Sequence, residues 1–210
     1  MRVKPYLGLI LAVLFVCAAY SALAQTAPAA TESRFPLAIG AGLSDYNTAL
    51  DGQNYRLLGG TLWIDYSLIH VPSFLRGIGI EAEARDLNLD HKNKTQPNLR
   101  QDTAEGGLIY AWPHFRNLHP YGKFFAGYGN LDYNGRPNEV YLNHDSTNFL
   151  AAGGGLDYRV VGGLWVRADY EYQSWPNMPR NTGKTGLKKT NYPQGFTIGA
   201  LYHFGPHPSR

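Results

Sequence analysis

Three features that are common in other protein classes are scarce in this chain of 210 residues. Its one cysteine, Cys17, lies in the apolar N-terminal segment, so the rest of the chain can form no disulfide bond and no thiolate metal site. The formal net charge of +3 is too small for the basic surface by which proteins bind nucleic acid. After residue 24 no apolar run approaches the roughly 20 residues of a membrane-spanning helix. If the mature chain enters a membrane, it must therefore do so as a closed β-barrel.

The N-terminal segment has the features of an export signal. Two basic residues precede an apolar run over residues 6–16, and the small-x-small sequence that ends at Ala24 fits a cleavage site. The run is shorter than the roughly 20 residues that span a bilayer, which argues against a membrane anchor. We therefore expect a cleaved signal peptide over residues 1–24, followed by a flexible lead-in over residues 25–35 that is rich in Pro, Ala and Thr.

The chain is rich in segments where apolar residues alternate with small or polar ones, the period-two pattern of β-strands. Eight segments show it, and they cover residues 37–44, 55–68, 77–89, 102–115, 120–133, 148–159, 164–173 and 196–204. The alternation is clearest in the seventh segment. In the third segment the parity changes after Arg85, because Leu87 and Leu89 fall on the polar face. This change predicts either a β-bulge or a strand that rises clear of the membrane.

The connections between these segments alternate between short and long. The short ones are residues 69–75, 116–119 and 160–163, and the long, polar ones are residues 45–54, 90–100, 134–147 and 174–195. This alternation is typical of outer-membrane barrels with short periplasmic turns, long outer loops and both chain ends in the periplasm. We therefore predict an all-β fold, an eight-stranded antiparallel up-and-down transmembrane β-barrel over residues 36–204, with a short C-terminal tail over residues 205–210.

Two features indicate which face of the strands points outward. Glycines share the face that carries the charges, as a narrow lumen requires, whereas a solvated outer face gains nothing from glycine. Aromatic residues lie near both ends of the apolar face, which predicts two lipid-facing girdles. The girdle residues are Tyr66, Trp112, Tyr158, Tyr202 and Phe204 toward the short turns, and Tyr128, Tyr170, Tyr172 and Phe196 toward the long loops. A soluble, lipocalin-like barrel would need the opposite orientation.

The last strand presents Ile198, Ala200, Tyr202 and Phe204 on its apolar face. With this ending and its eight alternating segments, the chain resembles the OmpA-like eight-stranded outer-membrane β-barrel family over essentially all of residues 36–204. The resemblance implies a location in the outer membrane of a Gram-negative-type bacterium, and it identifies these four residues as the signal that the barrel-assembly machinery recognises. We also expect contact with outer-membrane lipid and lipopolysaccharide, and a monomeric protein.

Ten charged residues fall on the face that is predicted to line the lumen. They are Asp65, Glu81, Glu83, Arg85, Glu105, Lys123, Asp157, Arg167, Asp169 and Glu171. Buried charges need partners, and neighbouring strands bring Lys123, Asp157 and Arg167 to one height and Arg85 and Glu105 to another. The network is either structural, filling a barrel too narrow for a pore, or part of a gate or ion path. An eight-stranded barrel favours the structural network, because its interior is just filled by side chains.

No catalytic, metal or cofactor site is predicted. The best candidate set is Ser67 with Asp65 and His203, but the first strand separates their strands by about 10 Å at ~4.8 Å per step, too far for a Ser-His hydrogen bond. We expect a non-catalytic protein that acts in envelope structure or surface contact through its loops. The alternatives are a soluble exported barrel that binds a small ligand and, less favoured, a lipid-A-modifying enzyme. The basic segment over residues 180–189 is either a solvated loop or a contact for lipopolysaccharide phosphates.

Overall fold

The computed structural model describes residues 36–50, 53–68, 71–72, 75–89, 99–112, 117–134, 142–179 and 188–204. The expected signal peptide, lead-in and C-terminal tail lie outside these residues. The described residues form β1 (Leu37–Leu50), β2 (Gln53–Ser67), β3 (Ile78–Leu89), β4 (Leu99–Ala111), β5 (Leu118–Asn134), β6 (Leu142–Val161), β7 (Leu164–Pro179), β8 (Lys188–Asn191) and β9 (Gln194–Phe204). They include no helix that is long and apolar enough to cross a membrane.

The strands pair in chain order and close into an antiparallel barrel. Each strand from β1 to β6 pairs with the next one, and β1 closes the ring by pairing with β9, with Leu37 opposite Phe204. Both β8 and β9 pair with β7, on either side of Tyr192 and Pro193. Because proline has no backbone N–H group, the ladder is interrupted there. β8 and β9 are therefore two parts of one barrel strand, and the prediction of an eight-stranded antiparallel barrel is confirmed.

The outer face of the barrel carries a continuous apolar band. We call the end with the short connections the turn end and the opposite end the loop end. Toward the loop end, the outward-facing residues change from apolar to polar on every barrel strand, a level that we call the outer polar boundary. Its residues are Asp45, Arg56, Asp86, Asp102, Asn130, Asn148, Ser174 and Gln194. An outward apolar band contradicts the soluble-barrel alternative, which needs its apolar face inside.

The height of the apolar band matches that of a membrane. On β2 the outward run from Leu58 to Tyr66 covers about 26 Å at ~3.3 Å per residue. A strand tilt of about 40° reduces this length to roughly 20 Å of height, close to the ~25 Å apolar band of outer-membrane barrels. Leu62 and Ile64 lie within this run and are 63% and 49% exposed, as lipid-facing side chains should be.

Beyond the outer polar boundary, the polarity of the two faces is inverted. Leu87 is fully buried on the same inward face as Arg85, whereas Asp86 and Asn88 on the outward face are exposed. Neither ladder of β3 has a register shift at this point. Of the two explanations for the parity change, the bulge is therefore wrong, and β3 continues above the membrane with an apolar interior.

The strands reach further toward the loop end than the sequence predicts. β1 and β2 stay paired up to Leu50 opposite Gln53, so the long connection predicted over residues 45–54 is wrong. Likewise β6 begins at Leu142 and β7 ends at Pro179, within segments that were predicted to be loops. Among the polar residues of these segments, Asn47, His144 and Ser146 occupy exposed outward-facing positions, whereas Thr48 is buried inside the barrel.

Two apolar layers fill the interior above and below the charged residues. The upper core, at the loop end, consists of Tyr46, Leu57, Leu87, Leu99, Phe125, Leu131, Phe149, Ala151, Trp175 and Met178. The lower layer, at the turn end, consists of Ala38, Trp63, Trp165 and Leu201. Glycines make room for the rings: a Cβ atom added at Gly40 would collide with Trp63, and one added at Gly129 would collide with Trp175. The lumen is thus packed rather than open.

Candidate functional site

The ten charged residues all lie inside the barrel. They come from alternate positions of β2 to β7, and each is at most 8% exposed. Their ion pairs form two groups, a lower group around Arg167 and an upper group around Arg85 and Lys123. Charges this deeply buried are stable only when they are paired and hydrogen-bonded, so the geometry of each group matters.

The lower group is built on the guanidinium of Arg167. Its Nε and Nη2 donate to the two oxygens of Asp157 at 2.8 and 2.9 Å, as expected from their opposed positions on β7 and β6. Nη1 donates to Glu81 Oε2 at 2.6 Å, and Nη2 also donates to Asp65 Oδ2 at 2.9 Å. One arginine therefore holds carboxyl groups from three other strands.

Aromatic rings pack against the same guanidinium. The Arg167 Cζ atom lies 4.7 Å from the centre of the Tyr121 ring and 5.3 Å from the centre of the Trp63 ring. Both distances are within the range of cation-π contacts. Tyr121 also donates its hydroxyl to Asp169 Oδ2 at 2.6 Å, which connects the lower group to the upper one.

The upper group contains two cations that share their carboxylates. Arg85 pairs with Glu83 and, through Nη1, with Glu105 and Glu171 at 3.2 and 3.3 Å. The ammonium of Lys123 lies 3.0 Å from Glu83 Oε2 and 2.7 Å from Glu171 Oε2. It also lies 2.9 Å from Asp169 Oδ1. Each cation thus contacts at least three acidic groups, as Arg167 does below.

The structure brings together some of the residues that the sequence placed at equal heights. Arg167 contacts Asp157, and Arg85 contacts Glu105. Lys123 instead belongs to the upper group, two residues above Tyr121 on β5. The sequence analysis did not include Tyr46, Tyr121, Trp63 and Gln173, although all four lie on the inward parity. Tyr46 and Gln173 donate hydrogen bonds to Glu171 Oε1 at 3.2 and 2.8 Å.

The carboxylates of Glu83, Glu105 and Glu171 converge closely enough to hold a cation. Arg85 already contacts all three, so its guanidinium occupies the position that a metal ion would take. The residues weighed above as a catalytic set have other partners. Asp65 accepts a hydrogen bond from Arg167, and His203 packs against Trp165 with 5.1 Å between ring centres. Strand β1 lies between Ser67 on β2 and His203 on β9.

The predicted girdle residues and the predicted assembly signal lie on the outer surface. Their exposed fractions range from 38% for Tyr170 to 65% for Ile198 among the large side chains. Several rings touch: Tyr170 packs on Phe196, and Tyr202 packs edge-on against Phe204, with ring centres 4.7 and 5.1 Å apart. Ala200 is also exposed on the same face of β9.

Ion pairs of a different kind mark the outer polar boundary. Arg56 donates to both carboxylate oxygens of Asp45, and Arg100 pairs with Asp86 and Asp102 at 3.0 and 3.1 Å. The hydrogen bonds from Arg56 lower the pKa of the Asp45 carboxyl. These side chains are largely exposed, so each pair contributes little to stability.

Comparison with known proteins agrees with this architecture. Residues 11–204 match the model of the family described as outer membrane protein beta-barrel domain. The chain belongs to this family. The family and its structural relatives support an outer-membrane location for this barrel. A comparison with curated protein sequences finds no match.

Several solved structures share the fold of this outer-membrane barrel. They include Neisserial surface protein A, which is 13% identical with a TM-score of 0.60; the alignment covers 80% of this chain and 97% of that one. Ail, the attachment invasion locus protein of Yersinia pestis, is 16% identical with a TM-score of 0.56, covering 80% and 97%. OprG from Pseudomonas aeruginosa is 17% identical with a TM-score of 0.54, covering 80% and 95%. At these identities the likeness concerns the fold alone.

Proposed function

We propose that this outer-membrane barrel is a closed, non-catalytic protein that supports the envelope and makes surface contacts through its loop end. The observation that carries the proposal is the upper core, which fills the loop-end part of the lumen with side chains such as Phe125, Phe149 and Trp175. Beneath it the charged groups and the lower layer occupy the rest of the interior. A solute would have to displace all three layers to pass through the lumen. We therefore expect partners to contact the loop end of the barrel and no solute to cross it.

The charged groups are locked rather than poised to move. Rotating Arg167 out of its site would break its contacts with three carboxyl groups at once. Removing one partner of a buried ion pair typically costs about 3–5 kcal/mol, so such a rotation is rare at equilibrium. This argues for the structural reading of the network and against a gate.

The part of the barrel above the outer polar boundary is available for contact. Among the described residues, the segment 142–149 of β6 forms a ladder with β5 alone, because the ladder between β6 and β7 stops at Leu150 opposite Ser174. The segment still contacts β7 through the hydrogen bond that Thr147 Oγ1 donates to Pro176 O. Beyond that point β7 pairs with β8 instead, and it contains Pro176 and Pro179, which lack N–H groups. The free edge of β6 offers backbone hydrogen bonds to an extended segment of a partner.

A second hypothesis is that the basic segment over residues 180–189 contacts anionic sugars or phosphates. Lys188 and Lys189 lie on β8, opposite Pro179 and Met178 of β7 and beyond the outer polar boundary. Ail has been solved in complex with the heparin analogue sucrose octasulfate, which is an observation about that protein. Sucrose octasulfate binding by this barrel in nanodiscs, compared with a K188Q/K189Q variant, tests the idea. Equal binding by both proteins would show that Lys188 and Lys189 do not bind the anionic ligand.

The proposed orientation places the loop end outside the cell and both chain ends in the periplasm. An epitope tag inserted after Asn138 or Gly183 should react with antibody on intact cells. A matched tag in the turn after Asn117 should react only after permeabilisation. A heat-modifiable gel shift verifies that each tagged barrel is folded. The reverse pattern would invert the orientation.

The two parts of the proposed role can be tested with one set of strains. Cells without the protein are compared with cells that carry the wild type or a variant in which a Gly/Ser linker of equal length replaces residues 135–141. We expect detergent resistance to need only the barrel, and cell–cell or cell–surface contact to need the native loop. Liposome swelling by the wild type, or altered lipid A in cells that express it, would contradict a closed and non-catalytic barrel.

A further inference from the structure

The interior of the barrel contains many more acidic groups than basic ones. Its carboxyl groups are Asp65, Glu81, Glu83, Glu105, Asp157, Asp169 and Glu171, and its cations are Arg85, Lys123 and Arg167. Among the described residues, seven carboxyl groups therefore face three cations. The two histidines at the turn end, His119 and His203, both pack against Trp165 with tilted rings. Even if both were protonated, the carboxyl groups would remain in excess.

Most of this charge is shielded from bulk water. The upper core covers it toward the loop end, whereas toward the turn end the side chains of Asp65 and Asp157 keep 10% and 11% exposure. The carboxyl oxygens without a partner, Asp65 Oδ1, Glu81 Oε1 and Glu105 Oε2, are themselves buried. An ionised carboxylate without a partner in such surroundings strongly destabilises the fold. Such a group therefore binds a cation or becomes protonated. We therefore expect part of this excess to be neutralised within the compartment, first at the carboxyl groups that have the fewest partners.

Two of the carboxyl groups meet directly in the lower group. Asp65 and Glu81 are opposed on β2 and β3, and Nη2 and Nη1 of the same Arg167 guanidinium hold their carboxyls side by side. Each gives one oxygen to Arg167, and neither Asp65 Oδ1 nor Glu81 Oε1 receives a hydrogen bond from any described residue. Two ionised carboxylates are both acceptors, so the contact needs a proton between them.

A second opposed pair lies one step higher. Glu83 and Glu105 face each other on β3 and β4, where like charges destabilise a sheet. Glu105 Oε1 contacts Arg85, whereas Glu105 Oε2 has no hydrogen-bond partner among the described residues. The charge of Glu83 is better compensated, because its carboxylate contacts both Arg85 and Lys123. The uncompensated member of this pair is thus Glu105.

We propose that the closed lumen is a proton-binding site, with one proton shared by Asp65 and Glu81 and a second on Glu105. The charged groups around the first proton are Arg167 on β7, Asp157 on β6 and Lys123 on β5, and the Tyr121 ring packs on Arg167. Those that face the second are Glu83 and Arg85 on β3, Lys123 on β5, Glu171 on β7 and, through Glu171, Tyr46 on β1. A proton satisfies both orphaned contacts without occupying space. A metal ion would have to displace a guanidinium.

The consequence is a stability that falls as the pH rises. Near pH 7 the folded barrel binds two protons that the exposed carboxyls of the unfolded chain release. Because unfolding then releases protons, raising the pH favours the unfolded state. Each retained proton increases the unfolding equilibrium constant by up to about tenfold per pH unit, until the folded barrel loses it as well.

Urea unfolding of the full barrel in lipid vesicles between about pH 6 and pH 9 tests the proposal. Asp65→Asn and Glu105→Gln mimic the protonated groups. In the wild type each retained proton adds a factor of about ten per pH unit to the rise of the unfolding constant, and each variant should lose one such factor. Asp157→Asn is the matched control, because both oxygens of Asp157 already accept hydrogen bonds from Arg167. It should weaken the barrel at every pH and leave the slope unchanged.

Several outcomes would overturn the proposal. A wild-type slope near zero would show that the folded barrel retains no extra protons, and this measurement does not depend on any variant folding. Unchanged slopes in both Asp65→Asn and Glu105→Gln would place the protons elsewhere. A stability that follows the concentration of Na⁺ or Mg²⁺ at fixed ionic strength, rather than the pH, would identify metal ions as the balancing charge.

Discussion

Arg167 shows how a single side chain organises the interior of this barrel. It holds Asp65, Glu81 and Asp157 and lies against two aromatic rings. Arg167→Met keeps much of the side-chain length but leaves these carboxyl groups without their cation, and it should reduce the free energy of unfolding by about 3–5 kcal/mol. Urea unfolding in vesicles measures the effect.

The control for this prediction is the exposed arginine at the outer polar boundary. Arg56→Met removes the ion pair with Asp45, which lies in a largely solvated position. Such pairs contribute about 0–1 kcal/mol, so this variant should unfold almost like the wild type. Equal losses in the two variants would mean that burial does not set the value of the Arg167 network.

Glycine has different roles on the two faces of the barrel. A Cβ atom at Gly40 would collide with the ring of Trp63, whereas one at Gly60 would meet nothing within 4 Å. Gly40→Ala should therefore lower the free energy of unfolding by about 1–3 kcal/mol, as overpacking does. Gly60→Ala should be neutral or slightly stabilising, because glycine weakens strands. A Gly40→Ala barrel as stable as the wild type would show that Trp63 can move aside.

At the scale of the strand, β9 combines barrel closure with the predicted assembly signal. Phe204 pairs with Leu37 of β1 and is still 40% exposed, so Phe204→Ala removes less buried area than a core substitution would. Losing a fully buried Phe costs about 3–5 kcal/mol, and this variant should lose less. If Phe204 is also read by the assembly machinery, the folded fraction in cells should fall far more than refolding of the purified barrel does.

Deletion of residues 205–210 is the matched control for that experiment. The heat-modifiable gel shift of barrel from outer membranes reports the folded fraction of each protein. We expect the deletion to behave like the wild type and Phe204→Ala to be depleted. Wild-type levels of folded barrel in both proteins would remove the assembly-signal reading of Ile198, Ala200, Tyr202 and Phe204.

The strands within the membrane were predictable from the sequence, and their extensions were not. In β7, Leu164 to Gln173 alternates without exception, because lipid outside and charges inside impose a single pattern. Above the outer polar boundary the outside faces water, so Asp86 and Asn88 point outward and Leu87 points inward. Period-two alternation continues there with its polarity inverted. The strands were predicted to end where their outward residues become polar, although the alternation itself continues. The predicted strands are therefore too short.

The sequence predicts which charged residues line the lumen better than it predicts which of them contact one another. Parity alone places all ten charged residues inside. Those on β2 to β6 share their face with glycines, whereas Arg167, Asp169 and Glu171 alternate with the apolar outward residues of β7. The partners of each cation depend on side-chain reach across the barrel: Lys123 contacts Glu83 and Asp169 on β3 and β7, neither of which neighbours β5. Contacts across a barrel of this width join residues that share no ladder. No spacing along the chain encodes them.

At the scale of the whole molecule, the barrel is closed by layers in series. The upper core lies above the charged groups, and Phe149 and Trp175 stack within it with ring centres 5.2 Å apart. If the upper core and the charged groups each stop ions and the thinner lower layer does not, then removing one of the first two should not open the barrel. The wild type, Trp175→Ala and Arg85→Ala should all lack stable conductance in planar bilayers.

Removing both layers should have an effect that neither single change has. In the double variant Trp175→Ala/Arg85→Ala, water can enter from the loop end and reach Glu83, Glu105 and Glu171, which no longer have the guanidinium between them. Hydrated carboxylates favour cations, so the channel that opens should be cation-selective. The heat-modifiable shift confirms that the double variant is folded, and Arg56→Met in place of Arg85→Ala controls for lost arginine charge. Stable channels in Trp175→Ala alone would mean that the upper core is the sole barrier and that the charged groups beneath it are wet.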